Sequence, residues 1–270
     1  MAVILRAIYN GYQEYIIDKT DERVTSLPLL QSVWTVPLIT GVYLYFVLSF
    51  GPKWMSNRKP AEIRSLLIVY NLGQVMANAM AFTMGLMYLQ DYPYSFLCQP
   101  LMLDDGAQSR HEVTLCYIYF LLKVLDLADT VFFVLRKKQT HVSFLHVYHH
   151  AIMVLSAGIF LRYICGGHMF MLGLLNTFVH AVMYGYFFLT IYRPDVTRGA
   201  SWKRYVTLLQ MGQFGYFVFH FFRPIILGVD CGYPRAMLWF AGIQNIFMLL
   251  MFGDFYWRTY VKNSSTPHQN

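Results

Sequence analysis

The sequence predicts an all-α, polytopic membrane protein: seven transmembrane helices around a central cavity that opens to the cytosol. Three observations predict it. Of 270 residues, 57% are hydrophobic and 18% aromatic, while only 13% are charged, against roughly a quarter in a soluble globular chain. Seven apolar stretches are each long enough to cross a hydrocarbon layer of ~30 Å, which takes about 20 helical residues. The polar residues inside those stretches fall at one common depth, as the groups lining a functional chamber would.

The stretches run over 29–50, 64–89, 114–135, 142–161, 169–191, 205–227 and 236–256. Pro28 marks the start of the first and Pro37 predicts a bend within it. The N-terminal "MAVILRAIYNGYQEY" has too short an apolar part, broken by Arg6, to act as a cleaved signal, so the first span is expected to serve as an uncleaved anchor. Most connections are short and make successive helices antiparallel neighbours. The longer 90–112 connection, with "DYPY", "DDG" and two prolines, is expected to form a lid. No repeat or low-complexity tract divides the chain, so residues 1–270 are expected as one seven-helix domain with a disordered tail, 262–270.

Lys and Arg decide orientation. Thirteen lie in the 51–64, 136–141 and 192–204 connections and the C-terminal tail; seven lie on the other side, and Lys123 is inside a span. This places the N-terminus outside the cytosol and the C-terminus within it. All four cysteines, Cys98, Cys116, Cys165 and Cys231, then fall in or near non-cytosolic connections, where disulfides persist. Cys98 and Cys231 are the expected pair because both lie in loops; free buried thiols are the alternative. The net charge of +7 suits an anionic membrane surface or a polyanionic ligand, and nothing points to nucleic acid.

Depth along each helix, at ~1.5 Å per residue, brings the polar groups into register. Beside the deeper Lys123 and Asn176, Asp126 and Asp129 of the third span, His146, His149 and His150 of the fourth, and His180 and Tyr184 of the fifth fall in the cytosolic half. So do Gln210 and Gln213 of the sixth and Asn71 and Gln74 of the second. The entrance would be ringed by Arg136, Lys137, Lys138, Lys203, Arg204 and Arg258, with His141 beside them, while the opposite half reads as nearly pure Phe, Tyr, Leu, Ile and Met. Such a chamber suits an anionic head and an apolar tail; topology signals and lipid-headgroup contacts also account for the basic ring.

"SFLHVYHHAIMVL" (143–155) puts three imidazoles on one helix face at i, i+3 and i+4. They are satisfied core histidines, metal ligands, or groups that do covalent or acid/base chemistry. Membrane di-metal oxygenases and desaturases also carry an H-x-x-H-H box, but they use about eight histidines in several boxes. This chain has nine in all, with His111, His168 and His268 in loops or the tail and His220 at another depth. A seven-helix receptor or transporter fits the span count too, although a receptor pocket would open away from the cytosol.

"KVLDLADT" (123–130), "FLHVYHH" (144–150), "NTFVHAVMYGYFF" (176–188) and "TLLQMGQF" (207–214) resemble, in order, the four motifs of the ELO family of very-long-chain fatty acid elongases. Asp126 stands where that family's first motif usually has Glu. The resemblance implies an endoplasmic reticulum enzyme that condenses a long-chain acyl-CoA with malonyl-CoA to 3-oxoacyl-CoA, CO2 and CoA, with no cofactor or metal. It also implies a homodimer and contacts with the other enzymes of the elongation cycle.

A neutral imidazole can attack a thioester and hold the acyl group. His149, the middle member of the box and the residue the family pattern favours, is the expected nucleophile. His146 and His150 would orient it, move protons or hold Asp126 and Asp129. His180, with Asn176 and Tyr184 at i−4 and i+4, would donate to the oxygen that gains charge on decarboxylation. Lys123 would pair with the aspartates or contact the thioester arm. Thr207, Gln210 and Lys203 would position CoA, with Arg136 and Lys138 taking phosphates. A general-base route in a ternary complex, without an acyl-enzyme, uses the same residues.

Overall fold

The computed structural model describes residues 13, 19–197, 201–230 and 232–262. Most of the N-terminal stretch, including Arg6, as well as Arg198, Cys231 and the tail 263–270, which the sequence reading used, lie outside the described residues. Among the described residues every regular element is helical: α1 (Thr35–Tyr45), α2 (Gly51–Met55), α3 (Arg64–Asp91), α4 (Ala107–Leu135), α5 (Phe144–Tyr163), α6 (Phe170–Tyr192), α7 (Pro194–Thr197), α8 (Trp202–Ile226) and α9 (Arg235–Tyr256), with single 3-10 or π-helical turns beside them and irregular connections that include the long 92–106 stretch. They fall into two compact units, one from residues up to 61 and 101–167, the other from 62–100 and 168 onward.

In the first unit α4 packs on α5 and α5 on α1. The seams are legible as heptads: Phe120, Leu127 and Val134 on α4, and Val147, Val154 and Leu161 on α5, are seven residues apart and all buried. That spacing keeps one stripe facing a nearly antiparallel neighbour. Gly158 lets α1 approach α5, since a Cβ there would sit 2.9 Å from both Val36 methyls. Tyr43 Oη and Thr130 Oγ1 share a buried 2.8 Å hydrogen bond between α1 and α4. Pro37 falls in the first turn of α1, where a missing N–H costs nothing; the expected bend is not there, and the irregularity is instead the π-helical run Phe46–Phe50. Ser143 caps α5 by accepting from His146 N at 3.3 Å. α4 ends in a Schellman motif, with Lys138 N donating to Phe133 O and Lys137 N to Val134 O, and Lys137 takes the left-handed position at φ 54°.

In the second unit α3 packs on α6, α6 on α8 and α8 on α9. Gly85 faces Leu174 and Gly242 faces Phe222, and a Cβ at either would come within 2.7 Å of the partner side chain. The Phe82 and Phe178 rings meet at a tilt with centroids 5.2 Å apart, and those of Phe214 and Phe252 at 5.1 Å. Three buried asparagine amide groups donate within their own helices: Asn71 to Leu67 O, Asn78 to Gln74 O and Asn245 to Ala241 O. This local pairing is what a medium without water requires.

Five helical stretches, Thr35–Met55, Arg64–Asp91, Phe144–Tyr163, Gly167–Tyr192 and Arg235–Val261, are long and apolar enough to cross a membrane. α4 and α8 have the length but carry more polar and charged residues, among them Lys123, Asp126 and Asp129 on α4 and Gln210, Gln213 and His220 on α8. The expected count of seven therefore rests on those two helices. Exposed stripes such as Leu38, Val42 and Tyr45 on α1 and Trp239, Ile243 and Leu250 on α9 form the surface that lipid would cover. The chain is a multi-pass membrane protein.

Candidate functional site

The histidine box sits in the first two turns of α5, directly after its Ser143 cap. The helical spacing brings the His146 and His150 rings to 4.3 Å and those of His149 and His150 to 5.8 Å. His150 is buried, whereas His146 and His149 are partly accessible. Phe133, in the last turn of α4, packs against His146 at 5.3 Å and against exposed His141 at 5.0 Å. The His146 Nε2 atom is buried and makes no hydrogen bond among the described residues. A lone pair or N–H so placed costs free energy until a ligand meets it.

On α4, Lys123 Nζ and Asp126 Oδ2 form a 2.7 Å ion pair with both side chains about fully buried (2% and 3% exposed). The i, i+3 spacing that the sequence offered is used. The Asp126 carboxylate is close enough to act electrostatically on the His146 ring. Asp129 is partly accessible, Arg136 caps the end of α4, and Lys138 and His141 are exposed. Tyr119, one turn before Lys123 and not singled out from the sequence, has its ring 5.1 Å from Lys123 Nζ. Its hydroxyl is buried with no hydrogen-bond partner among the described residues.

In the second unit His180, Asn176 and Tyr184 are all buried on one face of α6. Tyr184 meets the His180 ring edge-on at 5.8 Å and the Tyr70 ring at 6.0 Å. Tyr70 Oη accepts from Gln74 Nε2 at 3.1 Å. Thr207 donates to Lys203 O at 2.9 Å and lies 3.4 Å from Tyr260 Oη, so its burial is accounted for without a ligand. Gln210 Nε2 lies 3.3 Å from Met183 Sδ. Of the basic residues expected near the entrance, Lys203 is exposed with Nζ 5.9 Å from the Phe255 ring, Arg204 donates to Tyr256 Oη at 2.7 Å, and Arg258 pairs with Asp254 at 2.8 Å. Cys98 is in a disulfide, while Cys116 and Cys165 are free thiols.

Among the described residues no group of three or more His, Cys, Asp or Glu side chains converges as metal ligands would. The half expected to be almost purely apolar is not. Glu112, Arg162, His168 and His220 are buried in it. Glu112 Oε1 accepts from Gly167 N at 3.0 Å, and Arg162 donates to Leu30 O. His168 and His220 stack at 3.8 Å, and each Nε2 lies 3.1 Å from the other's carbonyl oxygen. The sequence set these two histidines aside because one is in a loop and the other at an isolated depth. Only the turn before α6 brings them together.

The chain matches the family model described as ELO, the GNS1/SUR4 family, over residues 28–268. It is 40% identical over 243 residues to very long chain fatty acid elongase 4 of Homo sapiens, covering 89% of this chain and 76% of that protein. A very long chain fatty acid elongase of Aedes aegypti is 38% identical, covering 96% and 72%. Very long chain fatty acid elongase 7 of Drosophila melanogaster is 36% identical, covering 96% and 78%. A match across nearly the whole chain, with the four motifs in place on α4, α5, α6 and α8, makes this chain a member of the ELO family of fatty acid elongases, membrane enzymes of fatty acid elongation.

Proposed function

We propose that the chain is a 3-oxoacyl-CoA synthase: it joins a long-chain acyl-CoA to malonyl-CoA and releases CO2 and CoA. The observation that carries this reading is the histidine box on α5, with a buried, hydrogen-bond-free nitrogen on His146 and a partly accessible His149 beside the His150 ring. His149 attacks the acyl thioester carbon, the C–S bond breaks, and CoA leaves as the thiol with the imidazole proton. Malonyl-CoA then loses CO2, and the electron pair left on its C2 attacks the acyl carbon and expels the imidazole, which regains its proton from water. His180, Asn176 and Tyr184 supply the donors that hold the enolate oxygen formed on the way. Lys123 and Asp126 fix the charge beside the box, with Asp129 next to them. Arg136, Lys138, His141, Lys203, Thr207, Gln210 and Arg258 serve the CoA arm.

Membership of the elongase family supports an endoplasmic reticulum location, and the basic connections support a lumenal N-terminus and a cytosolic C-terminus. The purified protein is incubated with one labelled acyl-CoA and no malonyl-CoA, then digested. Label is expected on His149 and is expected to chase into 3-oxoacyl-CoA when malonyl-CoA is added. Full turnover with no trapped label would replace the covalent route by general-base catalysis in a ternary complex. With a panel of acyl-CoAs of graded length, His149→Ala and His180→Ala are each expected to lose at least about 100-fold in rate. Wild-type turnover in both would remove the assigned roles.

A further inference from the structure

Cys116 and Cys165 play no part in the proposed reaction, yet the fold sets them side by side. Cys116 stands early in α4, and Cys165 lies in the short connection after α5, both in the first unit. Cys165 is buried in the core, and Cys116 packs half-buried against the same cluster. Their thiols are hydrogen-bonded neighbours. The contact is built from both sides. Glu112, one helical turn before Cys116, accepts from Gly167 N at 3.0 Å. Gly166 lies so close that a Cβ there would be 2.4 Å from Glu112 Cδ. The connection carrying Cys165 is thereby pinned to the part of α4 that carries Cys116. A second observation bears on the surroundings: Cys98, in the segment that leads into α4, is already in a disulfide. Thiols at that end of α4 therefore meet conditions in which disulfides persist.

We infer that Cys116 and Cys165 are a second, reversible disulfide site, closed by a low-molecular-weight disulfide and opened by thiols. The half-buried Cys116 is the entry sulfur: its thiolate attacks the oxidant disulfide, one thiolate leaves, and a mixed disulfide remains on Cys116. Cys165 then attacks the Cys116 sulfur and expels the second thiolate. Two cysteine thiols and one external disulfide become one internal disulfide and two external thiols, which take the two protons. The Cys116 hydrogen bond, burial and Glu112 push the Cys165 thiol well above its ordinary range. The pair therefore rests reduced and closes slowly.

The test is made on the full chain purified in detergent. It is treated with oxidised glutathione, blocked with N-ethylmaleimide after unfolding, and digested without reduction. A peptide pair joined through Cys116 and Cys165 is expected, lighter by two hydrogens than the free peptides, with both cysteines lost to alkylation and recovered by dithiothreitol. In Cys165→Ser, Cys116 is expected to keep a glutathione adduct. Persistent alkylation of both cysteines in the wild type, a stable glutathione adduct on wild-type Cys116, or a bond from either cysteine to Cys98 would overturn the inference. The wild-type measurement alone decides if the variant does not fold.

Discussion

Lys123 and Asp126 show how one pair of residues can serve stability and chemistry together, and how the two can be separated. A buried ion pair gains little over a well-packed apolar pair, but losing one partner strands the other charge. Lys123→Met is therefore expected to destabilise the protein by about 3–5 kcal/mol. The double variant Lys123→Met, Asp126→Leu is expected to regain most of that stability while staying inactive. Thermal unfolding in detergent, beside malonyl-CoA incorporation, checks both. A double variant with wild-type activity would reduce the pair to packing. The His168 and His220 stack makes a second case. Gln99 N lies 3.4 Å from His168 Nδ1, which assigns the His168 proton to Nε2 and makes it the donor to His220 O. His168→Leu and His220→Leu are each expected to cost about 1–2 kcal/mol, and the double variant less than their sum. The i, i+3 ion pair could be read from "KVLD" because a helix fixes it locally. The histidine stack could not, since its partners are some fifty residues apart in the chain and no periodicity connects them.

The elements were the most legible part of the chain. Long apolar runs end at Ser143, Pro194 and Pro234, and the helices begin or end within a few residues of them. The buried seam of α4 and α5 follows a seven-residue spacing. What periodicity does not reveal is how close two helices come, because that depends on which glycine meets which side chain. Gly158 and Val36 are the clearest instance. Gly158→Leu is expected to push α1 from α5 and cost about 1–3 kcal/mol. Gly41, whose added Cβ meets nothing within 4 Å, is expected to accept Ala without loss. Equal unfolding midpoints for the two variants would argue against close packing as the role of Gly158. The sequence also placed a bend at Pro37, where the first turn of α1 absorbs it; the wide turn at Phe46–Phe50 comes instead just ahead of Pro52, which lacks the N–H that would continue the α-helical ladder.

Across the whole molecule, the charge distribution of the connections gives a testable orientation. In sealed microsomes a glycosylation acceptor inserted after Asp105 is expected to be modified, and a tag at the C-terminus is expected to be cut by added protease. The reverse pattern would invert the proposed topology. Family, fold class and membrane character could be read from the sequence because four motifs and the apolar runs are distributed along the entire chain. The roles of individual polar residues were less accessible. Depth alone grouped Asn71 with the histidines, whereas its amide donates within its own helix; Thr207, expected to position CoA, likewise donates within its own helix.

The turn between α5 and α6 has a further consequence for variation in this gene. Gly166 combines a backbone at φ +83° with a Glu112 carboxylate that occupies the volume of any side chain. Relief of either constraint leaves the other in force, so no single compensating change rescues a substitution. A library carrying all twenty amino acids at this codon, sorted for folded protein, should return glycine alone, even in cells that survive on very little enzyme.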